Sequence, residues 1–141
     1  MKKIILGLLA VSLIASACKK DKDAPAVTKE NIAGTYKLMS LKATVNGVGP
    51  LDADQRDDCE KDDLYKLNVD NTFQYVDAGT VCDPAGDVSG TWQLVDKVIS
   101  SESYPDLNGT ISSFDGTNLQ VTITGTQDGM SYTLVSTFKK Q

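Results

Sequence analysis

The sequence predicts an all-β fold, an eight-stranded antiparallel up-and-down barrel preceded by a signal helix and a flexible tether. Three observations carry that expectation. Leu119, Val121 and Ile123 alternate with Gln120, Thr122 and Thr124, the two-residue period of a half-buried strand, and seven further short runs have strand composition. Asp70-Asn71, Asp115-Gly116 and Asp128-Gly129 separate such runs with the residues that tight hairpins need. Past Thr28 only Lys29 to Ile32 favours a helix, for one turn, with Thr28 as N-cap residue and Gly34 as its stop. Closing eight hairpin-linked strands removes the exposed edges that a flat sheet would leave, and a two-sheet sandwich is the competing arrangement.

The elements follow in chain order. Residues 1–17 read as a lipoprotein signal peptide: Lys2 and Lys3 form a charged start, Ile4 to Ile14 an apolar core too short to span a membrane, and Ala15-Ser16-Ala17-Cys18 a small-residue cleavage site. Small residues ending at a cysteine resemble a bacterial lipobox, with Ala15 where the common pattern has Leu. The resemblance implies that Cys18 becomes the acylated N-terminus, with palmitate among its chains, and two or three acyl chains anchor stably where one does not. Residues 18–27 are polar, contain Pro25, and read as the tether. Lys19-Lys20-Asp21-Lys22-Asp23 also resembles the charged signals by which Bacteroidetes-type bacteria export lipoproteins to the outer face, the alternative being a plain solvated linker. Residues 28–141 form the barrel domain, with strands expected at Thr35–Val45, Tyr65–Val69, Thr72–Asp77, Gly90–Val95, Val98–Ser101, Thr110–Phe114, Asn118–Thr124 and Ser131–Lys139.

Composition narrows the function. The 141 residues allow one domain, and the absence of histidine removes Ser-His-Asp and Cys-His nucleophile systems and every His-ligated metal site. Cleavage before Cys18 leaves 12 basic against 19 acidic residues, so nucleic acid is not an expected partner and the surface is not expected to lie on anionic lipid. Neither a buried catalytic carboxylate nor a Gly-rich phosphate loop is evident, and no enzyme activity, cofactor or metal is expected. The acidic segment Asp52–Asp63 lacks the glycine and closing glutamate of an EF-hand, and reads as a solvated lid before it reads as a calcium site.

A family resemblance now has residues to rest on. The helical turn leading into Gly34-Thr35-Tyr36-Lys37-Leu38 looks like the Gly-x-Trp opening of lipocalins with Tyr36 in place of Trp, and Gly90-Thr91-Trp92-Gln93-Leu94 repeats the pattern. With 57–63, 69–73 and 79–84, the chain resembles the small lipocalin-like lipoproteins of Bacteroidetes, which implies a lipocalin-like barrel held at the cell outer membrane.

Up-and-down topology then sorts the loops. The long connections 46–64, 78–89 and 102–109 fall at one end, and the tight turns at 70–71, 96–97 and 115–117 at the other, so one end is lidded and open and the other closed. Cys59 and Cys82 share the open end. With Cys18 lipidated they form one pair in an oxidising compartment, which predicts a disulfide, and two cysteines without histidine are too few for zinc. Tyr65, Tyr75, Trp92 and Tyr132 are expected at the open end on the inward face, as candidate ligand-binding residues; the alternative is an upper core layer in a filled barrel.

Two functions follow. One is a monomeric cell-envelope lipoprotein, membrane-held through its acyl anchor, that binds a small apolar or amphipathic ligand at the open end. The other is a filled-core interaction module, such as an inhibitor, adhesion or complex-assembly subunit, that uses the lid and loops.

Overall fold

The structure is a computed structural model and describes residues 24–104 and 107–141. The expected leader, Cys18 and the tether as far as residue 23 lie outside the described residues. A single turn, α1 (Lys29–Ile32), comes first, its Thr28 hydroxyl accepting from the Asn31 backbone N–H at 3.3 Å. Among the described residues nine strands follow: β1 (Gly34–Val45), β2 (Val48–Asp52), β3 (Leu64–Leu67), β4 (Thr72–Val76), β5 (Val88–Val95), β6 (Val98–Ser101), β7 (Gly109–Phe114), β8 (Asn118–Gln127) and β9 (Met130–Lys140). β1 pairs antiparallel with both β3 and β9, which closes β1 and β3 to β9 into an eight-stranded antiparallel barrel and excludes the sandwich. Inward residues alternate along the strands as expected, Tyr65 and Leu67 on β3, Phe73 and Tyr75 on β4, Leu119 and Val121 on β8.

β2 is the element that the sequence reading missed, because Gly49 and Pro50 make 46–64 look like one long loop. Its origin is a mismatch of lengths. β3 covers β1 only from Gly34 to Lys37, whereas β9 covers it as far as Val45, so the upper half of β1 has a bare edge. The chain turns back at Asn46 (φ 50°) and Gly47 (φ 79°), a left-handed pair that suits a two-residue hairpin, and pairs Ala43 with Leu51 and Val45 with Val48. Pro50 is tolerated because the outer side of an edge strand has no ladder bond to lose.

The closed end is packed solid. Ile32, Leu67, Phe73, Trp92, Ile99, Ile111, Leu119 and Val121 are at most 2% exposed. α1 plugs this end: the Tyr36 hydroxyl donates to the Ile32 carbonyl at 2.6 Å, and Lys29 Nζ donates to Asn71 Oδ1 at 2.9 Å in the β3–β4 turn. Burial pushes the Tyr36 hydroxyl up to about 12. Val27 packs on the same core and Pro25 lies against Gly116, so the last residues of the expected tether belong to the folded body.

Candidate functional site

At the opposite end the strands do not fill the barrel. A cavity of about 270 Å³ lies between Leu38 and Leu41 of β1, Tyr65 of β3, Ile123 of β8 and Leu134 and Phe138 of β9. A bulge in the β1–β9 pairing between Leu38 and Ser40 resets the alternation, so that Leu38 and Leu41, three residues apart, both face inward. The β3–β4 side of the mouth is occupied by Tyr104 from the β6–β7 connection. Its ring stacks on Tyr75 at 5.0 Å, meets Tyr65 edge-on at 5.4 Å, and sits 5.7 Å from Phe73. Its hydroxyl is 3.2 Å from that of Tyr65. Burial drives the Tyr65 and Tyr75 hydroxyls far above the ordinary tyrosine range.

The roof of the cavity is the segment after β2. Arg56 donates from Nε to Asp54 Oδ1 at 2.9 Å and from Nη2 to Asp54 Oδ2 at 2.8 Å, a two-pronged pair with each side chain only 16% exposed. Nη2 also reaches the Leu38 carbonyl at 3.1 Å, beside the bulge, and Nη1 the Glu60 carbonyl at 3.2 Å. One guanidinium thus bolts the roof to the barrel wall. Its hydrogen bonds hold the Asp54 carboxyl below the usual carboxylate range.

A second fastening is the Cys59–Cys82 disulfide, present as expected, which joins the roof to the β4–β5 connection. Buried carboxylates order that connection. Asp63, 1% exposed, accepts from the Tyr75 hydroxyl and from the Ala78 N–H at 2.9 Å; Asp77 accepts from the Cys82 N–H at 3.1 Å and the Gly86 N–H at 2.9 Å. The acidic segment is therefore a solvated lid only in part. Asp52 and Asp58 are exposed and paired with Lys42 and Lys61, but Asp54 and Asp63 are structural. Among the described residues no three Asp, Glu or Cys side chains gather as a metal site would require.

Above the cavity the wall continues on one side. Val45, Gln127, Asp128, Met130, Tyr132 and Leu134 line a wider recess of about 480 Å³, and Leu134 borders both spaces. The β1–β2 register puts Val48 and Leu51 on this same inner face, where they are 67% and 62% exposed.

The expected ligand residues therefore part company. Tyr65 lines the cavity, Tyr132 lines the upper recess, and Tyr75 lies behind the Tyr104 ring. Trp92 requires correction. It was expected at the mouth as an early residue of a strand from Gly90, but β5 begins at Val88 and carries it to the closed end. There its backbone N–H donates to the Asn71 carbonyl and its indole N–H to the Asn68 carbonyl, both at 2.9 Å. At 0% exposure it is part of the floor. Sequence reasoning assigned no role to Arg56, which reaches the Leu38 carbonyl 18 residues back, or to the inserted Tyr104, whose ring partners Tyr65 and Tyr75 lie far back in the chain. It also missed Leu41, which faces inward only because the bulge resets the alternation.

A closed antiparallel barrel, plugged at one end and hollowed at the other, defines a class: a cup with a recess of small-molecule size. A lipocalin-like domain model matches residues 32–134, and the chain belongs to that family. No curated protein and no solved structure matches the chain.

Proposed function

We propose that this protein is a cell-envelope lipoprotein of the Bacteroidetes type whose barrel binds one small apolar or amphipathic molecule at its mouth. The observation that carries the reading is the cavity itself. Its size, about 270 Å³ before the upper recess is added, and its lining of Leu, Ile, Tyr and Phe beneath a few polar roof groups match what small-molecule sites require. The reading assigns the protein no catalytic step. It has Cys18 carry the acyl anchor at the outer membrane, and it makes the chain a monomer. The described chain starts at the closed end, so a tether from Cys18 would hold the mouth away from the anchoring bilayer, suited to a ligand arriving from outside it.

The filled-core module remains the second reading, favoured by the packed floor and by the Tyr104 plug. Titration with Nile red, an uncharged probe whose emission reports an apolar site, separates the two. Saturable binding of one probe per protein, abolished by Ile123→Trp, supports the cup; Ile123 borders the cavity away from the floor, so the variant should still fold. Absence of saturable binding to a folded wild type would leave the module reading in place.

A further inference from the structure

The net negative charge of the chain, which argues against contact with anionic lipid, is an average over two unlike ends. The mouth carries exposed carboxylates at Asp52, Asp57, Asp58, Asp83, Asp87 and Asp128. The ion pairs Lys42–Asp52, Arg56–Asp54 and Lys61–Asp58 also lie at that end. Lysines gather toward the other. Lys37, in the lower half of β1, is directly opposite Lys139 of β9. Lys66 of β3 is opposite Thr35, one outward position along β1, and so is the diagonal neighbour of Lys37. Tyr36, Leu38, Tyr65, Leu67 and Phe138 are buried in the core, so all three lysines point outward from the wall. The outward positions around them are Thr35, Gln74, Asn118 and Thr137, and among the described residues none of the three makes an ion pair. Like charges directly opposite each other in a sheet oppose folding, so the barrel's own stability does not account for this row.

The row lies where the chain enters the fold. Pro25 packs on Gly116 in the β7–β8 turn, and Asn118, just after that turn, pairs with Lys139. Residues 18–23 reach at most about 20 Å when fully extended. A bilayer that holds Cys18 is therefore never more than about two Debye lengths from the start of the described chain.

We propose that Lys37, Lys66 and Lys139 form a docking surface for the anchoring bilayer, through its anionic head groups, with the acidic mouth turned away. This deepens the anchored-lipoprotein reading by naming the surface that meets lipid, and rests on that reading for the tether alone. Charge selects the orientation, because the opposite one sets the carboxylates of the mouth against the same head groups. Each lysine at an anionic surface contributes about a fivefold gain, so three favour the docked state on the order of a hundredfold.

The test is acetylation of lysines by an N-hydroxysuccinimide ester, followed site by site by mass spectrometry, on the full processed chain added to preformed vesicles. Vesicles of phosphatidylcholine are compared with vesicles in which a third of it is replaced by phosphatidylglycerol. On the anionic vesicles Lys37, Lys66 and Lys139 should react at least tenfold more slowly, whereas Lys61 in the roof should react alike on both. About 0.5 M salt should abolish the protection. The double variant Lys37→Glu/Lys139→Glu, altered at outward positions that the core does not use, should leave Lys66 equally reactive on both vesicles. Equal reactivity of the three lysines on both vesicles, protection that extends to Lys61, or protection that survives salt or the double variant would overturn the proposal. Flotation keeps the anchor separate. Protein that floats with phosphatidylcholine vesicles and shows no protection on anionic ones keeps its anchor and loses the docking surface. Protein that floats only with anionic vesicles, protected at the three lysines, loses the anchor and keeps the docking surface; flotation with neither removes both.

Discussion

Replacing Arg56 should unfasten the roof. In Arg56→Ala the Asp54 carboxylate, 16% exposed, loses both prongs of its partner, and the Leu38 and Glu60 carbonyls lose their donor. Charged hydrogen bonds at sites with this little exposure contribute about 1.5–3 kcal/mol, and some of that is recovered as water reaches Asp54. The expected loss is about 2 kcal/mol, or ~8 °C in melting temperature for a domain of this size. Arg56→Lys keeps the charge but not the fork, and should lose about half as much. Release of bound Nile red, followed by stopped flow, should accelerate about tenfold in Arg56→Ala, equivalent to removing about 1.4 kcal/mol of roof docking from the barrier. The pH dependence has a definite sign. Asp54 is depressed in the folded state, so its pairing contributes fully above about pH 4, the unfolded value, and is lost only as pH falls through the lower folded value. Wild type should therefore hold its release rate down to about pH 4 and speed up in stronger acid, and Arg56→Ala should lack that acid limb. Arg56→Ala with wild-type stability would refute the bolted roof. Reduced stability with unchanged release would make Arg56 a structural clamp that does not gate the cavity.

Two further outcomes are expected. Mass spectrometry of non-reduced protein should show one peptide joining Cys59 to Cys82, and reduction should lower stability by about 3 kcal/mol, the chain-entropy value for a loop of this length; freely alkylated thiols in protein taken from the envelope would contradict it. Labelled palmitate should enter wild type and be absent from Cys18→Ala, which should also leave the detergent phase; a wild type that takes up no label would make residues 1–17 an ordinary secretory signal.

What the sequence made legible was periodic. The alternation at Leu119, Val121 and Ile123 placed β8, and the hairpin residues at 115–116 and 128–129 placed its neighbours. Loop lengths sorted the two ends, and with them the cysteine pair. β2 was hidden behind Gly49 and Pro50, although Asn46-Gly47 between two valines is a strong hairpin signal and could have revealed it. Trp92 was misplaced because position along a strand depends on where pairing begins, and β5 starts two residues earlier than its composition suggests. The roof was illegible for a different reason. Arg56 acts through Asp54 two residues away and through a carbonyl 18 residues back, at a bulge that no periodicity announces. Tyr104 sits in a connection without a period, and only the fold shows it entering the barrel.

Strand length explains why the hollow lies where it does. β3 and β6 have four residues each and β4 five, so β3 and β4 offer two fully buried inward side chains each: Tyr65 and Leu67, Phe73 and Tyr75. Those rings and the residues beside them complete the floor. β1, β8 and β9 have ten to twelve residues and go on presenting inward apolar positions after the short strands have ended. These surplus positions face no strand. On the β3–β4 side a loop supplies the missing wall, Tyr104 filling the mouth; over the cavity a second loop supplies a roof, held by Arg56 and the disulfide. Both substitutes are loops, so both can move without unpairing the barrel, whereas the floor cannot. Val48 and Leu51, beyond the roof, are more than half exposed on a face whose geometry is that of a barrel interior.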